Sequence, residues 1–107
     1  MDSDTVYYEL LKLNRIIESC WTEFMIKEEV GVIPTSYVER TPLRLVLFFD
    51  PIRWRGRIKR SEKRVVRDTA KRFVESIVPD DFKYEVEEEI SGEIIYTITA
   101  GESITAS

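Results

Sequence analysis

Val6, Leu10, Leu13, Ile17, Cys20 and Phe24 recur at spacings of 4, 3, 4, 3 and 4. Only a helix brings such positions onto one side, so the start of this chain is constrained to a long helix with an apolar seam. Ile16, Trp21 and Met25 widen the seam, while Glu9, Lys12, Glu18 and Glu23 fall off it. Ser3 or Asp4 is placed to cap the helix, and Gly31 stands just past its end. A stripe this long and broad needs a cover, either the chain's own sheet or, in addition, a second copy. Cys20 is then expected as a small buried apolar side chain. As the single cysteine, it can form no internal disulfide.

Beyond Gly31 the period changes from helical to two. Val32, Ile33, Tyr37 and Val38 are interrupted by Pro34, which confines a strand there to a sheet edge. Leu43 to Phe49 reads as a strand buried on both faces, with Asp50-Pro51 as a turn. Its run Leu45-Val46-Leu47-Phe48-Phe49 is the longest aliphatic and aromatic run in the chain, too short to span a bilayer. Ile52 to Lys59 alternates: Ile52, Trp54, Gly56 and Ile58 point one way, and Arg53, Arg55, Arg57 and Lys59 the other, if the segment is extended. Phe82, Tyr84 and Val86 alternate in the same way with Lys83, Glu85, Glu87 and Glu89. A three-residue loop Ile90-Ser91-Gly92 would set Val86 opposite Tyr96, Tyr84 opposite Ile98 and Phe82 opposite Ala100, so that apolar faces agree.

Between these strands, Ser61 can cap a second helix that stops at Pro79, with Val66, Ala70, Phe73 and Ile77 as its core seam. The expected fold is α+β in two layers. One mainly antiparallel sheet of four to five strands carries two helices on one face, in the order α-β-β-(β)-α-β-β. A chain of 107 residues makes this a single domain over 1–107, with 101–107 as a polar tail and no internal repeat.

Charge is distributed unevenly over this frame. Residues 53–72 hold ten of the sixteen basic side chains and only Glu62 and Asp68 against them, so they carry about +8 in a chain of net charge −4. Read by period, the block is two objects. Arg53, Arg55, Arg57 and Lys59 share a strand face, for which Glu85, Glu87 and Glu89 offer a cross-strand ladder within the chain or across a dimer. Arg60, Arg64, Arg67 and Lys71 form a helical stripe for which the sequence shows no matching acidic stripe.

Lys63-Arg64-Val65-Val66-Arg67 after Ser61, continued by Ala70-Lys71, resembles the start of the final helix of double-stranded RNA-binding domains, where a Lys-Lys-x-Ala-Lys pattern meets phosphates. A helix, three strands and a helix also come in that family's order, and the resemblance implies phosphate contact at this helix. The chain departs from that family in its longer first helix and its additional C-terminal hairpin.

Two functions fit. One is a small, non-catalytic nucleic-acid-binding protein that uses Arg60, Arg64, Arg67, Lys71, Lys63, Arg53, Arg55 and Arg57 on phosphates, with the nucleic-acid type unspecified. The other is an assembly subunit, homodimeric through the first helix or the sheet, whose basic patch meets an acidic protein surface. No enzyme, metal or cofactor is expected. The chain has no histidine for acid–base work, one cysteine, and no glycine-rich phosphate loop among its four glycines. The acidic start Met1-Asp2-Ser3-Asp4-Thr5 lacks the pattern of a signal peptide, so a cytoplasmic protein with no membrane partner is expected. The absence of glutamine and the single asparagine, Asn14, in a chain 34% charged match the bias of thermophile proteins.

Overall fold

Alternating and helical periods sort the chain into the elements of a computed structural model that describes residues 2–28, 34–50 and 60–101. These are α1 (Ser3–Glu28), β1 (Thr35–Arg40), β2 (Leu43–Phe49), α2 (Arg60–Ile77), β3 (Phe82–Glu88) and β4 (Ile94–Ala100). The strands form one four-stranded antiparallel sheet in the order β1-β2-β4-β3. This is the expected α+β fold. Helix–strand–strand occurs twice, and the two hairpins meet through their second strands, β2 and β4. The repetition lies in topology alone, without a repeat in the sequence.

One core joins the layers. Leu45, Leu47 and Phe49 of β2 and Ile94, Tyr96 and Ile98 of β4 pack with Val6, Leu10, Leu13, Ile17 and Trp21 of α1 and Val66, Ala70, Phe73 and Val74 of α2. Val6, Leu10, Leu13 and Ile17 of the α1 seam are thus buried against the chain's own sheet and α2. The seam also departs from its expected line: Cys20 is exposed, and Trp21, 4% exposed, takes the inward position after Ile17. Either step, three or four residues, continues a 3.6-residue period, and the larger side chain gains more by burial. Trp21 packs edge-on against Phe49 at 5.2 Å and Phe73 at 5.0 Å, tying α1 to the sheet and to α2.

The cap of α1 is Asp2, ahead of the expected Ser3 or Asp4. Its Oδ1 accepts from the Thr5 backbone N–H and the Thr5 hydroxyl, each at 2.8 Å. These bonds to the charged form, the backbone one foremost, hold the Asp2 carboxyl below its ordinary value. Asp4, released from capping, meets Arg40 at 2.8 Å, and Arg40 lies 4.4 Å from the Tyr7 ring centroid, pinning the start of α1 to the end of β1.

Strand β1 starts at Thr35, just after Pro34, and lies at a sheet edge as expected. On β2 the burial of both faces holds at Val46, 5% exposed, although both helices lie on the opposite face. Cross-strand neighbours Tyr37 and Thr97 flank it. The β3–β4 register is the expected one, with Val86 opposite Tyr96, Tyr84 opposite Ile98 and Phe82 opposite Ala100. Gly92 closes its loop at φ 98°, where a Cβ is disfavoured, and donates to the Glu89 carbonyl at 2.8 Å. Helix α2 begins at Arg60, one residue ahead of the expected cap. The basic alternation of residues 52–59, the direction of Trp54 and the ladder from Arg53, Arg55 and Arg57 to the glutamates lie outside the described residues.

Candidate nucleic-acid interface

The helical period that sends Val66, Ala70 and Phe73 inward sends Arg64, Arg67 and Lys71 outward, and all three are exposed. Two contacts fix how α2 lies along the sheet. Arg67 Nη1 is 3.6 Å from Glu88 Oε2, and the Tyr84 hydroxyl donates to Glu75 Oε1 at 3.2 Å. Eight helical residues and four strand residues both span about 12–13 Å, so α2 runs antiparallel to β3. Arg60 therefore lies about 10 Å past Glu88, the last residue of β3. The first two turns of α2, bearing positions 60, 63 and 64, project past the end of β3.

Of the eight expected phosphate-binding residues, the structure brings together Arg64, Arg67 and Lys71. Arg60 and Lys63 sit on the same helix with side chains outside the described residues. Arg53, Arg55 and Arg57 lie outside them altogether. One acidic side chain, Glu88, reaches Arg67 of the stripe from the neighbouring strand. Glu88 continues the period-two row of Tyr84 and Val86, and this row was the available signal for it.

Arg67, Asp68 and Lys71 form one wall of a groove of about 300 Å³, and Tyr84, Val86, Glu88 and Tyr96 form the other. Burial pushes the Tyr96 hydroxyl up to about 12, with smaller contributions from Tyr84, Glu88 and Glu75. Tyr84 is shifted the same way, by burial and then by the Glu75 carboxylate. The folded protein therefore holds Tyr96 as the neutral phenol. This contribution to stability is complete below the ordinary value near 10 and is lost as pH rises through about 12. It amounts to something on the order of 2 kcal/mol. Chemical denaturation between about pH 9 and 11.5 is expected to show a falling stability that Tyr96→Phe flattens; an unchanged slope in that variant places the effect elsewhere.

Among the described residues no group of three His, Cys, Asp or Glu side chains is placed to hold a metal ion. No described helix is long and apolar enough to cross a membrane. No protein-family model, curated protein or solved structure matches the chain. The function is therefore read from its own residues.

Proposed function

We propose that the protein is a non-catalytic nucleic-acid-binding module whose α2 lays Arg60, Lys63, Arg64, Arg67 and Lys71 along a phosphate backbone. Arg53, Arg55 and Arg57, adjoining in sequence, are the secondary contacts. The observation that carries the reading is the exposed row Arg64, Arg67 and Lys71 on a helix whose first turns project past the end of β3. Planar guanidinium groups pair well with phosphate oxygens.

Contact of this kind is mostly sequence-independent and releases counterions. If about five phosphates are neutralised on duplex DNA, affinity falls roughly 500-fold between 50 and 200 mM salt. Titration of labelled single- and double-stranded DNA and RNA at the two salts tests this, and absence of binding at the lower salt ends the reading.

Glu88 makes a finer prediction. It holds Arg67 in a half-exposed ion pair, so a phosphate has to displace it. An exposed pair is worth at most about 1 kcal/mol, so Glu88→Gln is expected to tighten binding by roughly two- to five-fold at low salt. Weaker binding by this variant would mean that Arg67 needs the carboxylate to hold its position.

A further inference from the structure

The groove between α2 and β3 holds a group that phosphate contact does not use. Tyr96 lines it and is only 2% exposed, and no described residue hydrogen-bonds its hydroxyl. The groups that act on this hydroxyl electrostatically are Tyr84, Glu88 and Glu75, so it lies on the helix side of the sheet, towards the groove. Buried hydroxyls are nearly always bonded. One left without a protein partner at the floor of a groove is a group for an entering molecule to meet.

The surroundings narrow the kind of molecule. On the strand wall, Val86 is 48% exposed, and the Tyr84 ring is tilted against Tyr96 at 5.8 Å. Together they offer apolar and aromatic surface. On the helix wall, Lys71 can donate hydrogen bonds and Asp68 can accept them. A volume of about 300 Å³ stands at the lower end of the range for ligand pockets, suited to one small ring system. Asp68 and Glu88, on opposite walls, repel a phosphate from the interior. Arg67 and Lys71, about 6 Å apart along the helix axis, attract one to the rim. A flat aromatic ring with donors and acceptors on its edge, tethered to a phosphate, answers to all of this.

We infer that this groove takes one unpaired base of a single-stranded nucleic acid, with Arg67 and Lys71 on the adjoining phosphates. The base lies against Tyr84 and Val86, and its edge meets the Tyr96 hydroxyl and Asp68. Bases in a duplex are paired and stacked, so they do not enter. Aromatic side chains stack on every base, so the groove selects for strandedness more than for sequence. The inference rests on the nucleic-acid reading and deepens it: the α2 row holds any phosphate backbone, and the groove adds affinity to single strands alone.

Three labelled ligands of equal length test it on the full chain at about 50 mM salt: a single strand, the same strand without bases, and the duplex. The single strand is expected to bind roughly ten-fold more tightly than the abasic strand. Tyr84→Ala is expected to bring the single strand to the abasic level and to leave the abasic strand and the duplex unchanged. Tyr96→Phe, which keeps the ring in the core, is expected to cost the single strand roughly two- to ten-fold and the other ligands nothing. If Tyr84→Ala does not fold, Tyr96→Phe carries the test. Equal affinity for the base-bearing and abasic strands overturns the site, as do variants that weaken all three ligands alike or none of them. Each of these results leaves the phosphate row of α2 standing. Absence of binding to all three ligands ends the nucleic-acid reading and this site together.

Discussion

Trp21→Ala destabilises the protein by about 4 kcal/mol, the largest loss expected from any single truncation in this core. Trp21 is 4% exposed and meets Phe24, Phe49 and Phe73 with centroid separations of 6.2, 5.2 and 5.0 Å. Its removal opens a cavity where α1, α2 and the sheet converge, and three aromatic rings cannot collapse into it together without leaving their own contacts. Domains of this size are stable by only about 5–15 kcal/mol, so a large part of that margin goes. Cys20→Ala, one position away on the exposed side, is expected to stay within about 0.5 kcal/mol. Thermal and urea denaturation followed by circular dichroism compare the two. Equal losses would mean that the seam runs through Cys20 after all.

Reversing Arg64, Arg67 and Lys71 together to glutamate is expected to abolish measurable binding to nucleic acid at physiological salt. Each phosphate contact contributes about 0.9 to the slope of log affinity on log salt, so three lost contacts flatten it by nearly 3. At about 150 mM salt this corresponds to at least a hundred-fold loss in affinity, before repulsion by the new carboxylates is counted. The three side chains are exposed and belong to no core contact, so denaturation midpoints are expected to move little. A variant that is folded and binds as the parent does removes α2 from the interface. Loss of binding together with loss of fold is resolved by single reversals, of which Arg64→Glu is the cleanest because Arg67 also holds Glu88.

Much of the architecture was legible because periodicity is a local property. The step from 3.6 to 2 and back placed two helices and the strand Leu43–Phe49. Matching apolar faces around Ile90-Ser91-Gly92 chose the register of β3 on β4, because a slip of one residue would turn Tyr84 and Val86 to the wrong side. The same logic marked Arg64, Arg67 and Lys71 as an outward row, since Val66, Ala70 and Phe73 leave them nowhere else to point.

What the chain order did not determine is which elements lie side by side. The sheet order β1-β2-β4-β3 makes β3 an edge and brings Glu88 to Arg67, 21 positions away, a contact no local period encodes. The choice between Cys20 and Trp21 depended on what α1 packs against. The rings of Phe49 and Phe73, supplied by β2 and α2, decided it. Asp2 rather than Ser3 or Asp4 caps α1, while Asp4 serves Arg40 from the distant β1. By itself the sequence determined the periods, and with them each element and its inward face, because these follow from backbone geometry and side-chain solubility within a few residues. Only the tertiary structure decided the neighbours, and with them the acid beside the basic row and the place of β3 at the end of the described sheet, because those depend on how the two helix–strand–strand halves meet.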